Sequence, residues 1–197
     1  MTSVLEIQKR KTRHLAWVSQ GILAVIIALS PAFQSDALAS PAKEEVYEKP
    51  DAFVEKAFGG QAPKPKVLWL TKAIQNDITA IMGRRLPQIR MRYWLRDQRS
   101  VWILEEIGKE QPITAGFIVD GGQIVETNVL VYRETRGWEI KYPAFRGQFT
   151  GAALNDAGQL DQNIDGISGA TLSVNAMRKM ATLALHLHKI TASEKRS

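Results

Sequence analysis

The sequence predicts an α+β fold, a single domain in which an antiparallel sheet of at least four strands packs against helices. Three observations carry this. From Arg90 onward the apolar pattern changes from helical to strand-like spacing; Asp120-Gly121-Gly122-Gln123 is a hairpin signal between two β-branched runs; and the chain closes on an amphipathic helix. With 197 residues and 45% hydrophobic content, the chain has room for one ordinary core plus appendages.

Taken in order, Ser40 to Lys49 is polar and punctuated by proline, so residues 40–65 are expected to be a flexible leader with room for a short helix. That helix would run from Asp51 to Phe58, with Phe53, Val54 and Ala57 inward and Gly59-Gly60 closing it. After the stiff Pro63-Lys64-Pro65 segment comes a short apolar run, Val67 to Leu70. Thr71 then caps a helix running towards Gly83, with Ile74, Ile78 and Ile81 at helical spacing. Strands are expected over Met91 to Leu95, Val101 to Ile107, Thr114 to Val119 and Ile124 to Tyr132. Pro143 to Phe149 reads as a helical turn and Thr150 to Ile164 as a polar loop. The closing helix spans about Leu172 to His188, and Val174, Met177, Ala181, Ala184 and Leu185 form its packing stripe. The domain is thus placed at residues 66–190, with a motif-bearing core of about 90–190 and a polar tail at 191–197.

The first 39 residues read as an address. Lys9, Arg10, Lys11 and Arg13 precede the apolar run Ile22 to Leu29, Ser30-Pro31 ends it, and Ala37-Leu38-Ala39 offers a small-residue cleavage site. This order predicts a signal peptide and export to the periplasm or the outer face of the cytoplasmic membrane. An uncleaved anchor over Trp17 to Phe33 is the alternative, although the apolar core is shorter than the ~20 residues of a comfortable span.

Composition excludes several chemistries. Without cysteine the chain cannot hold an iron–sulfur cluster through thiolates, attach haem through a C-x-x-C-H motif or form a disulfide. A net charge of +6 from 26 basic and 20 acidic residues gives no nucleic-acid signature by itself. Arg84, Arg85, Arg90, Arg92, Arg96 and Arg99 crowd together with only Asp97 opposing; they read as a solvated basic edge, with docking to an acidic partner or an anionic membrane as the alternative. His186 and His188, two residues apart on a helix, point in nearly opposite directions and do not share a metal.

The stretch that carries chemistry is Asp165-Gly166-Ile167-Ser168-Gly169-Ala170-Thr171-Leu172-Ser173, immediately before the closing helix. Gly166 and Gly169 allow a tight bend and close approach by a ligand. The first turn of the helix offers unpaired N–H groups and the positive end of its dipole, and Ser168, Thr171 and Ser173 add hydroxyls. That combination suits a phosphate. An ordinary loop in which Ser168 or Thr171 caps the helix fits the same spacing, so spacing alone does not decide.

The run resembles the flavinylation motif of the FMN-binding domain family, known from peripheral subunits of sodium-translocating NADH:quinone reductase and Rnf-type complexes. Asp165, Ser168, Gly169, Ala170 and Thr171 occupy all the fixed positions. The resemblance implies that Thr171 is joined to FMN through a phosphoester, installed by a separate flavin transferase that takes FMN from FAD. Asp165 would orient or deprotonate the hydroxyl inside that transferase, or else act as a plain loop carboxylate. A second match, Glu134-Thr135-Arg136-Gly137-Trp138, resembles the family's Glu-Thr-Pro-Gly segment that lines the flavin pocket. Glu134, Thr135 and Gly137 carry over directly. Arg136 replaces the usual proline, and Trp138 is read equally as a core aromatic or as a ring stacked near the isoalloxazine.

The resemblance implies an exported flavoprotein that carries electrons between a membrane redox partner, which would supply haem or quinone-binding helices, and an acceptor in the envelope. Nothing beside the motif resembles a substrate-activating constellation, so a carrier is preferred to a stand-alone enzyme. A flavin-dependent reductase of a diffusible substrate and a non-catalytic flavin-binding or sensory module are the competing readings.

Overall fold

The computed structural model describes residues 44–194; the expected signal peptide falls outside the described residues. The elements, in chain order, are β1 (Glu45–Val46), α1 (Pro50–Ala57), β2 (Lys66–Trp69), α2 (Lys72–Met82), β3 (Arg90–Arg96), β4 (Arg99–Ile107), β5 (Pro112–Asp120), β6 (Gln123–Tyr132), the short α3 (Pro143–Arg146) flanked by two 3₁₀ turns, and α4 (Thr171–Glu194). The six strands form one antiparallel sheet in the order β1-β6-β5-β4-β3-β2. The architecture is α+β, as the sequence predicts.

Both faces of the sheet are covered, unequally. On one face α4 and α2 bury Trp102, Phe117, Val119 and Ile124 beneath Met177, Met180, Ala181 and Ala184. On the other, α1 seats Phe53, Val54, Ala57 and Phe58 against Val101, Ile118 and Leu130. The central strand β5 is therefore buried on both sides, and its sequence Ile113-Thr114-Ala115-Gly116-Phe117-Ile118-Val119 is apolar almost throughout rather than alternating. Strand β3, nearer the edge, alternates between buried and exposed positions.

Local signals behave as their chemistry requires. Thr71 Oγ1 accepts the Ile74 N–H at 3.4 Å and Gly83 ends α2. The hairpin at Gly121-Gly122 joins β5 to β6, with Asp120 paired to Gln123.

The segment expected to be a leader contributes to the fold. Glu45 and Val46 pair with Tyr132 and Val131 on the edge strand β6, and α1 docks onto Gly116 of β5. A Cβ on Gly116 would stand 2.7 Å from Phe53 Cδ1, so this close approach requires glycine. At the other end, α4 continues into the expected polar tail. There the buried Thr191 hydroxyl donates to the carbonyls of Leu187 and His188, at 3.0 and 3.1 Å.

Candidate functional site

The two sequence motifs, about thirty residues apart in the chain, meet in the fold. Gly137 takes a φ of +85°, and a Cβ there would lie 2.5 Å from Ser173 Oγ and 3.1 Å from the Tyr132 hydroxyl. Glycine is thus required twice over, for its left-handed backbone and for the contact it permits. The Tyr132 hydroxyl, donating to the Arg136 carbonyl, lies 3.3 Å from Ser173 Oγ. It ties the turn after β6 to the first turn of α4. Burial raises the Tyr132 pKa, the nearby Glu134 and Glu139 raise it further, and the hydrogen bond to Ser173 opposes them, so the phenol stays protonated at neutral pH.

On the helix side, the loop before α4 is held in place by side chains the sequence reading did not single out. Gln148 Oε1 accepts the Asp165 N–H at 2.6 Å, and the Arg178 guanidinium donates to the Ile164 carbonyl. Gly169 has a φ of +81°, whereas Gly166 does not enter the left-handed region. Asp165, Ser168, Gly169 and Thr171 are exposed, while Ala170 and Ser173 are buried. The Ala170 carbonyl accepts the Val174 N–H at 2.9 Å, so Ala170 occupies the position of the helix cap. Alanine has no side-chain oxygen to spend on the N–H groups that follow. Among the described residues, no hydroxyl of Ser168 or Thr171 bonds to the backbone of that turn. The loop thus departs from the simple capping arrangement that the spacing also allowed. It leaves the first-turn N–H groups and the positive helix end beside an exposed Thr171 hydroxyl.

Glu134 lies against the turn between β4 and β5. Its Oε1 accepts the backbone N–H groups of Lys109, Glu110 at 2.7 Å and Gln111 at 3.0 Å, holding the turn between β4 and β5. The neighbouring Thr135 is exposed. Trp138 is 40% exposed; it meets Tyr142 edge-on, 5.6 Å between ring centroids, with the Lys141 ammonium 5.2 Å from its ring centre. It is therefore no core aromatic. Beside it, Glu139 Oε2 is buried without a hydrogen-bond partner among the described residues, an orphaned acceptor next to the Gly137–Ser173 contact. Asp165 Oδ1 accepts from the Asn163 side chain at 3.2 Å.

Alongside the first turns of α4 runs a groove of about 320 Å³, bounded by Leu172, Asn175 and Lys179 on the helix and by Glu106, Ile107 and Gly108 where β4 ends. Glu106 is buried between the cations Arg84, at 2.7 Å, and Lys179, at 3.6 Å. The groove opens beside the residue that follows Thr171.

These features suit a flavin mononucleotide. Unspent N–H groups and a helix start favour its phosphate, an exposed hydroxyl is accessible for esterification, and the groove and orphaned carboxylate oxygen adjoin that hydroxyl's turn. Compared with known families, residues 108–186 match the FMN-binding domain. The match takes in both Glu134–Trp138 and Asp165–Ser173. No curated protein matches the chain.

Proposed function

Starting from an FMN-binding domain at residues 108–186, we propose that this chain is an exported flavoprotein that carries FMN as a phosphoester on Thr171. In that role it passes electrons between a membrane redox partner and an acceptor in the envelope. The observation that carries this reading is the exposed Thr171 hydroxyl at the start of α4, preceded by an alanine that leaves the first-turn donors unspent. A threonine hydroxyl is a poor nucleophile at neutral pH, and no histidine lies in the motif to activate it. Attachment therefore falls to a separate flavin transferase. In the reaction, Thr171 Oγ displaces AMP from FAD: the phosphoanhydride bond breaks, the phosphoester forms and the hydroxyl proton passes to a base of the complex. Asp165, exposed and six residues upstream, is placed where the transferase could engage it.

When bound, the flavin supplies the redox chemistry. The protein contributes position and electrostatics: Lys179 and Arg178 beside the groove favour negative charge, and the half-buried Glu139 disfavours it. An exposed attachment point suits a carrier, because a partner protein can approach it closely. Among the described residues no helix is long and apolar enough to cross a membrane, so the reading assigns quinone or haem chemistry to the partner.

The test is coexpression of the full chain with an FAD-dependent flavin transferase. Wild type should gain the mass of one FMN less water, fluoresce after denaturing electrophoresis and bleach reversibly with dithionite. Thr171→Ala should fold and remain colourless, because exposed surface substitutions shift stability by less than about 0.5 kcal/mol. Flavin retained by Thr171→Ala through denaturation would overturn the attachment site. Rapid turnover of NADH with small acceptors by the purified holoprotein would replace the carrier with a reductase.

A further inference from the structure

At the far end of α4, some 25 Å from Thr171 at 1.5 Å per residue, lies a second and larger cavity of about 900 Å³. It is lined by Leu95, Leu154 and Leu185 together with Asp97 and Lys189. His188 completes it, although the residue is only 5% exposed. Leu185, His188 and Lys189 fall on one stripe of the helix, facing the tips of the β3–β4 and β5–β6 hairpins.

The protonation of His188 follows from its neighbours. Its Nδ1 lies 2.7 Å from Ser100 Oγ, and Ser100 Oγ accepts the indole N–H of Trp102 at 2.8 Å. An indole nitrogen only donates. Among the described residues the Ser100 hydroxyl hydrogen has no acceptor other than His188 Nδ1, so the chain of donation runs from Trp102 to Ser100 to His188. Nδ1 is then the acceptor and the ring proton sits on Nε2, which has no protein partner among the described residues. Burial lowers the His188 pKa against a weaker opposing pull from Asp120, in keeping with a neutral ring.

We propose that this cavity binds a small, uncharged, largely apolar molecule through a carbonyl oxygen that accepts the Nε2–H of His188. The three leucines supply the apolar contact, and the one directed donor selects an acceptor. Asp97 and Lys189 in the lining carry opposite charges, so an ionised ligand gains no net attraction there. Asp97 also has a φ of +54°, the one positive value among the described non-glycine residues. The strained turn thus lines the cavity. Leu95, Asp97, His188 and Lys189 lie outside the stretch that matches the FMN-binding domain, whereas Leu154 and Leu185 lie within it.

The proposal is tested on the full chain by calorimetry with 2-acetonaphthone, with 2-ethylnaphthalene as a probe of like shape without the carbonyl, and with 2-naphthoate as the anion. The ketone should bind saturably and about fivefold tighter than the hydrocarbon, the margin of one neutral hydrogen bond. It should also shift the imidazole Nε2 resonance, with free His188 showing the Nε2–H tautomer. His188→Leu should bring ketone and hydrocarbon to equal affinity. Ala192→Trp, which fills the cavity from its lining and spares the hydrogen-bonded chain, should abolish binding of both and serves if the first variant fails to fold. Absence of saturable binding, equal affinities in wild type, tighter binding of 2-naphthoate, or binding retained in Ala192→Trp would overturn the proposal. None of these readouts depends on flavin.

Discussion

At its first turn α4 presents Ala170, Thr171 and Leu172, small or exposed residues whose backbone donors are left unspent. At its last turns it presents His188 and Thr191, both buried, with His188 Nδ1 bonded to Ser100 and the Thr191 hydroxyl to the helix's own carbonyls. One helix thus begins with unspent donors and an exposed hydroxyl and ends with buried, bonded groups beside a cavity. The cost of a change should follow that division: at the start, substitutions alter chemistry with little effect on stability unless they touch the Gly137–Ser173 contact, while at the end they alter stability first.

The strongest way to break the contrast is Gly137→Ala. It forces a Cβ to within 2.5 Å of Ser173 Oγ at a backbone φ of +85°, and a loss of about 3 kcal/mol in denaturant unfolding is expected from strain plus displacement of the helix start. A loss below about 0.5 kcal/mol would mean that the two motifs are not held together as described. Next is Ser100→Ala, which leaves the Trp102 indole and His188 Nδ1 without partners. Urea titration should show about 2 kcal/mol of destabilisation, the cost of orphaned buried polar groups. Glu134→Ala removes a carboxylate that accepts three backbone N–H groups at a turn water can reach. A loss of about 1 kcal/mol is expected, with flavin loading preserved; failure to flavinylate while remaining folded would assign Glu134 to the cofactor instead.

The smallest effect is a pH dependence. The His188 pKa is lowered in the folded chain, chiefly by burial, so below the ordinary histidine value of about 6.5 the unfolded chain takes up a proton that the folded chain refuses. Its contribution is complete above that pH and lost progressively as pH falls towards the depressed folded value. The difference in unfolding free energy between wild type and His188→Gln, measured from pH 7.5 to 5, should be flat above 6.5 and then shift against wild type. A constant difference throughout would show that the ring titrates alike in the folded and unfolded chain.

Much of this was legible in the sequence because it is local. Thr71 and Gly83 delimit α2, Asp120 to Gln123 forms the β5–β6 turn, and the apolar spacing from Val174 to Leu185 predicts the buried face of α4. The Asp165–Thr171 motif also names its place, directly before the last helix. What escaped is tertiary. Two exposed residues, Glu45 and Val46, carry no strand signal, and they pair only because β6 offers an open edge. The seat of α1 depends on Phe53 meeting Gly116, more than sixty residues away. The carboxylate of Glu134 reaches back to the β4–β5 turn, an attachment no spacing rule anticipates. Likewise Tyr132 reads as the end of a strand, and only the fold shows its hydroxyl joining the two motifs.

Strand β1 has a mechanical consequence. The described chain enters the fold through the pairing of Glu45 with Tyr132, and Tyr47 stacks on that same ring with centroids 6.5 Å apart. Tyr132 in turn abuts Ser173, two residues from Thr171. Strand β1 and the first turn of α4 are therefore fastened at one corner of the protein. A load applied at Glu45 is carried through the Tyr132 ring to Ser173 and the start of α4 rather than across the sheet to the opposite end.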